Sequence, residues 1–246
     1  MPAIFFRLCL LPLLSMLCLG AGADEYPPIA DIHLHWKWNQ KEVVSAAEAV
    51  QILNAQNVGL AVVTGTPPEL ALELQELAPG IVRPIYGIYR IPGEWSSWHH
   101  DPDLLKRVRR ALESGRYAGI GEVHMIGGFI SDWKNPVIAG LFGLAAEFDV
   151  PVLLHTEFSR ADYTLGLCRA HPKTRILWAH AGSMLKPSEV GRVLDGCPNV
   201  HAELSARDPW RHRGNPIVDA EGQLLAPWRD LVNRYYDRLM IGSDPV

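Results

Sequence analysis

The sequence predicts an α/β protein of the (β/α)8, or TIM, barrel class, and three observations carry that prediction. β-rich runs alternate with helical stretches from residue 29 onward, the order that implies a parallel sheet. Runs such as "PVLLH" (151–155) and "RILWAH" (175–180) are apolar without alternation, as in strands buried on both faces. Eight such runs fit into about 215 residues, the count and length of one barrel. The competing arrangement, a doubly wound open sheet, lacks support because no G-x-G-x-x-G follows the first strand.

The elements follow in order. "IADIHLH" (29–35) reads as the first strand, and "KEVVSAAEAVQILNAQ" (41–56) has the apolar spacing of a helix. "VGLAVVTG" (58–65) is a strand, and "PPELALELQEL" (67–77) is a short helix opened by proline. "IVRPIYGIY" (81–89) is the third strand. The helix at 101–115 has Asp101 as N-cap, Pro102 at its first position and Gly115 past its end. "YAGIGEVHM" (117–125) is a strand and 136–149 a helix. The last four strands are 150–157, 174–182, 199–206 and 238–244, with helices at 162–171, 188–195 and about 227–235. The chain stops at Val246, so the sequence carries no eighth helix to cover strands 8 and 1. The expectation is a barrel lacking that helix, and poor stability for this exact chain.

The N-terminus is of another kind. Arg7, an apolar run over 8–19 and then Ala21-Gly22-Ala23 read as a secretory signal peptide, residues 1–23, cleaved before Asp24. The run is short of the about 20 residues of a membrane span, and Leu17 before Cys18 argues against a lipoprotein. The expected product is an exported barrel domain, residues 24–246, periplasmic or secreted, with no stable membrane span. It keeps Cys168 and Cys197, which either bridge or stay as two buried thiols. The net charge of −4 becomes −5 when Arg7 leaves. No basic run marks a nucleic-acid surface, so the expected partner is a small-molecule substrate. Oligomeric state has no signal in the sequence.

Barrel enzymes build their sites at the C-terminal ends of the strands. Strand 1 ends in His33 and His35, strand 4 near Glu122 and His124, strand 5 in His155 and then Glu157, strand 6 in His180 and strand 8 in Asp244. Residues two apart on a strand share a face, so His33 and His35 can reach one ion. Imidazoles and carboxylates gathered at one rim suit zinc, manganese, nickel or iron.

This ordered set, H-x-H on strand 1, His on strands 5 and 6, Asp on strand 8, resembles the amidohydrolase superfamily of metal-dependent barrel hydrolases across residues 29–244. "ADIHLHW", "VLLHTE", "ILWAHAG" and "MIGSDPV" look most like its amidohydrolase-related (amidohydrolase-2) branch. "GIGEVHM" also resembles the TatD-type deoxyribonucleases at strand 4. The resemblance implies that His33, His35 and Asp244 hold a first divalent ion and His155 and His180 a second, with Glu122 between them. Zinc is the first expectation, and one ion or two. In single-metal members of the branch His180 acts in catalysis or substrate binding instead. The implied reaction is attack by a metal-bound hydroxide on a small ester, lactone or amide, with Asp244 taking and returning the proton.

Other residues carry a sharp and a bland reading together. His124 lines the pocket or backs a ligand. Arg207 clamps an anionic substrate group or forms a loop salt bridge. Trp36, with Trp38, Trp95, Trp98 and Trp133, forms an aromatic wall or packs the rim. His99 and His100 are expected in solvent, and His171 at a helix end without function. His201 and Glu203 are expected as a buried polar pair, and His212, between Arg211 and Arg213, faces substrate or solvent. The rival functions are a decarboxylase like some single-metal members, a TatD-like nuclease, disfavoured by the acidic charge and the export signal, and an inactive relic or metal-binding module without turnover.

Overall fold

The computed structural model describes residues 26–126, 130, 132–207 and 215–245. The signal segment, His212 and its flanking arginines lie outside the described residues. All strand pairs are parallel. β1 (Ile29–Lys37), β2 (Val58–Thr66) and β3 (Val82–Ile85) form one section. β4 (Ile120–His124), β5 (Val152–His155), β6 (Ile176–Trp178), β7 (Val200–Glu203) and β8 (Leu239–Met240) form the other. Parallel bridges Tyr86–Ile120 and Asp31–Ile241 join the sections at both edges, in the ring order of a TIM barrel. The third strand is the shortened one. Pro84 has no N–H to give a ladder, and the chain leaves the strand after Ile85.

Seven α-helices alternate with the strands among the described residues: α1 (Ala46–Ala55), α2 (Glu69–Leu77), α3 (Leu104–Glu113), α4 (Pro136–Glu147), α5 (Ala161–Ala170), α6 (Pro187–Gly196) and α7 (Ala226–Arg234). Three start later than the sequence predicts, α2 by only two residues, at Glu69. Residues 40–42 form a 3-10 turn, and α1 begins where Ser45 and Glu48 make a reciprocal capping box. Asp101 does not cap α3. Its carboxylate accepts from the Asp103 N–H at 2.9 Å and from Arg107 at 2.7 Å, and Asp103 takes the N-cap position.

Val108, Ile138, Leu141, Phe142, Val190 and Val193 have no exposed surface. They belong to the principal cluster that joins helices α3 to α7 to the sheet. Cys168 in α5 and Cys197 after α6 form a disulfide with Cα atoms 6.1 Å apart. Among the described residues no helix is long and apolar enough to cross a membrane.

One connection matters for the site. The predicted strand 174–182 stops at Trp178, and the chain turns left-handed at His180 (φ 58°), Ala181 (φ 45°) and Ser183 (φ 53°). Such angles are strained for residues with a Cβ. Arg207 holds the turn from inside, donating to the carbonyls of His180 at 2.6 Å, Ala181 at 2.8 Å and Leu185 at 3.1 Å.

Candidate metal centre

The strand ends converge on Glu122, the middle residue of β4, which is buried at the barrel rim. His33 Nε2 and His35 Nε2, from the same face of β1, are 3.1 Å apart. Asp244, just after β8, places Oδ1 3.3 Å from His35 Nε2 and 3.6 Å from His33 Nε2. Glu122 adds Oε1 at 3.6 Å from His33 Nε2 and Oε2 at 3.3 Å from His35 Nε2. Four donors bound at about 2.0–2.1 Å in a tetrahedron stand about 3.3–3.4 Å from one another. The observed spacings bracket that edge, so the donor set fits a divalent cation.

The backing fits as well. Glu203 Oε1 lies 2.9 Å from His33 Nδ1 and leaves Nε2 to face the centre, the buttress that orients a ligating histidine. Glu203 Oε1 also accepts the His180 backbone N–H at 2.7 Å, and Ser205 Oγ lies 2.9 Å from His180 Nδ1. His180 Nε2 is therefore held between Glu122 Oε1 at 3.6 Å and Asp244 Oδ2 at 3.8 Å. On the other flank His155 Nδ1 is 2.9 Å from Glu122 Oε1.

Among the described residues, the ion pairs of Glu122, Glu203 and Asp244 are all with histidine. Three buried carboxylates need positive charge beside them. The protonation equilibria of the neighbouring histidines follow that demand. Burial would lower the His33 and His155 imidazoles, but Glu122 with Glu203 or Glu157 outweighs it. His33 is raised well above its ordinary value and His155 to about 9. Burial opposes ionisation of Asp244, yet His35 and His33 hold it down to about 2. His124 goes the other way: burial, reinforced by its histidine neighbours, lowers it to about 4 against the pull of Glu122.

A cleft of ≈ 560 Å³ opens over the centre. Its floor includes His35, Glu122, His124, His155, His180 and Asp244, and its walls include Lys37, Trp38, Thr66, Tyr89, Ile91 and Trp95. The six residues expected as ligands thus come together, and His124 lies beside them. Two expected substrate contacts do not. Trp36 is buried with Leu34, Leu53 and Val58, because it neighbours His35 on a strand and points to the opposite side. Arg207 is buried beneath the β6 turn, stacked 4.5 Å over Trp228, where burial lowers its guanidinium to about 10.

Two further expectations change, those for the His201–Glu203 pair and for His99, while Trp98 takes its packing reading. His201 and Glu203 are not a pair: Glu203 sits under His33 and His180, while His201 is only partly buried near Arg238 and Asp237. Trp98 is buried, its indole N–H donating to the His124 carbonyl at 3.1 Å. His99 is also buried, its ring 3.9 Å from that of His100. In the sequence no backing role falls to Ser205 or Tyr89, and Glu203 is placed only in a pair with His201. The signal for Glu203 was its place as the last residue of β7, level with the ends of β4 and β5.

Residues 90–245 match the family model described as amidohydrolase. No curated protein matches the chain. Among solved structures it resembles a probable 2-pyrone-4,6-dicarboxylic acid hydrolase from Acinetobacter baumannii, with TM-score 0.59, 13% identity, and 88% of this chain and 83% of that one covered. A Burkholderia multivorans amidohydrolase solved with bound zinc aligns with TM-score 0.58 and 18% identity over 88% and 84% of the two chains. A dihydroxybenzoic acid decarboxylase from Polaromonas, solved with manganese and an inhibitor, gives 0.54 and 11% over 89% and 86%.

Proposed function

The chain belongs to the amidohydrolase family and is an enzyme of that type, and from this premise we propose that it hydrolyses a small-molecule ester, lactone or amide with a divalent cation, zinc first, outside the cytoplasm. The observation that carries the reading is the convergence of His33 Nε2, His35 Nε2, Asp244 Oδ1 and Glu122 at coordination-edge spacing. His33, His35, Asp244 and Glu122 would hold the cation, which when bound would supply an acidified water and polarise a carbonyl oxygen.

The residues do the rest. Asp244, ionised at working pH, accepts the proton of the attacking water and returns it to the leaving group. His180 Nε2, steered by Ser205 and the Glu203 carboxylate, faces Asp244 Oδ2 and the cleft, where the imidazolium, with Nδ1–H on Ser205, can donate from Nε2 to the developing oxyanion. Trp38, Tyr89 and Trp95 offer apolar surface to the substrate body, and Lys37 an ammonium to an anionic substituent. The disulfide between Cys168 and Cys197 and the leader-like N-terminus support an oxidising compartment.

The test is metal content on protein purified without chelator, followed by a screen of lactones, esters and amides. Bound metal, with turnover abolished by chelation and restored by zinc or manganese, is the expected result. Metal without turnover on that panel, but with carbon dioxide released from aromatic carboxylic acids, would move the reading to a decarboxylase, the activity for which the Polaromonas neighbour is named. Absence of bound metal would overturn it.

A further inference from the structure

An apolar collar surrounds the mouth of the cleft and reaches beyond its walls. Trp38 after β1, and Ile91 and Trp95 after β3, line the cleft and are also exposed to solvent. Phe158 after β5 and Met184 after the β6 turn are exposed as well. Phe158 follows Glu157, which lines the cleft, and Met184 follows Ser183, whose hydroxyl donates to Glu157 at 3.2 Å. Five large apolar side chains thus stand on four loops at the C-terminal face of the barrel.

Phe158 is there at a cost. The Ser159 N–H donates to the Thr156 carbonyl at 3.1 Å, so Phe158 is the third residue of a tight turn, at φ 62°. That place favours glycine or asparagine, and a bulky residue there is strained. Yet 72% of Phe158 is exposed, so neither core packing nor turn geometry accounts for the ring. Cations accompany the collar. Lys37 precedes Trp38, Arg90 precedes Ile91, and Arg160 and Lys186 lie two residues after Phe158 and Met184. Among the described residues, Lys37, Arg160 and Lys186 form no ion pair. The nearby carboxylates are engaged: Glu94, beside Trp95, pairs with Arg90 at 2.7 Å, and Glu157 lies 3.4 Å from His155 Nε2. A chain of net charge −4 therefore presents uncommitted cations beside its exposed apolar groups on this face.

We propose that this collar docks on an anionic lipid surface, with Trp38, Ile91, Trp95, Phe158 and Met184 entering the boundary between headgroups and acyl chains, and Lys37, Arg160 and Lys186 meeting lipid phosphates. Indole rings suit that depth, and lysine and arginine reach from apolar surroundings to charge. The layout favours a bilayer over a protein. The side chains ring an open cleft, whereas a stable protein interface buries a continuous packed patch of about 1,200 Å² or more. Docking in this pose turns the mouth of the cleft toward the lipid. The inference stands on the collar and its charges, apart from the metal and the reaction.

The experiment is cosedimentation of the purified protein with vesicles of phosphatidylglycerol and phosphatidylcholine in equal parts, against vesicles of phosphatidylcholine alone, at low and high salt. Binding to the anionic vesicles that weakens with salt, and binding to the neutral ones that is about tenfold weaker or more, are expected. Phe158→Asn with Met184→Gln removes two apolar groups, and asparagine suits the left-handed backbone, so the double variant should keep the wild-type melt. Its partition onto anionic vesicles should fall by about tenfold or more. Arg160→Gln with Lys186→Gln should cost a similar factor on anionic vesicles and nothing on neutral ones. Wild-type protein that stays off anionic vesicles, or binds neutral ones as well, would overturn the proposal, as would wild-type binding by either double variant. Equal binding by the Phe158→Asn, Met184→Gln chain would assign the membrane contact to the apolar run over 8–19 instead. A concentration-dependent dimer that this variant loses, with no vesicle binding, would overturn it in favour of a second copy of the chain.

Discussion

The two flanks of Glu122 are built from the same residue types and behave as different materials. On one flank His33 and His180 stand on Glu203 and Ser205, and of these four only His180 lines the cleft. On the other, His124 and His155 stand on Tyr89 and Glu157, and His124, Tyr89, His155 and Glu157 all line the open cleft. The first flank is preorganised by the core, so its geometry persists whatever the cleft contains. The second lines the cleft, so whatever enters the cleft meets His124, Tyr89, His155 and Glu157 directly. A buried carboxylate serves both, and the protein can hold such an anion because histidines surround it.

The sharpest break in this comparison comes from Asp244→Asn, which keeps the donor cluster and removes the proton acceptor. Turnover should fall by about 10²–10⁴-fold while most bound metal stays; kcat near the wild-type value would remove Asp244 from the proton role. Arg207→Met tests the support of the buried flank at one remove. It leaves the carbonyls of residues 180, 181 and 185 without their donor, each costing about 1–3 kcal/mol when buried and unpaired. A melting temperature lowered by several degrees is expected, and an unchanged melt would show that the left-handed turn holds itself. Glu203→Gln acts on the flank directly and should weaken the first cation by roughly 10–100-fold, read by competition with a chelating dye. Glu157→Gln, on the cleft flank, should change metal affinity less than Glu203→Gln does; a larger loss would reverse the order of the two flanks.

The smallest effect is one of pH, in chelated protein. His155 has its folded value raised to about 9, above the ordinary value of 6.5. Its stabilisation is therefore fully present below about pH 6.5 and is lost as pH rises through 9. The metal-free melting temperature should decline across that window. A metal-free chain whose stability rises there would show that His155 is not the group paired with Glu122.

Much of the site was readable because barrel topology turns strand ends into a ring. His33, His35, Glu122, His155, His180 and Asp244 each follow or end an apolar run, so their meeting follows from the fold alone. The failures have physical reasons that differ. Trp36 was misplaced against a rule already in hand, since alternation along β1 sends it away from His35. Arg207 looked like a loop cation, but a left-handed turn exposes several carbonyls at once, and only the structure shows that this guanidinium fills the demand. Glu203 was legible as an inward carboxylate but not as the buttress of His33, 170 residues earlier in the chain. Pairings at that separation depend on how β7 stands against β1 across the barrel, which no local pattern encodes.

The walls of the cleft come from short stretches after β1 and β3, while its floor comes from strand ends. Inheritance can therefore act on the two separately. Substitutions at Trp38, Ile91 or Trp95 alter which molecules are admitted without touching a donor atom, and the reactive floor passes unchanged from one substrate preference to the next. A laboratory library confined to those three positions would sample new specificities at little risk to folding, since Trp38, Ile91 and Trp95 are all solvent-exposed.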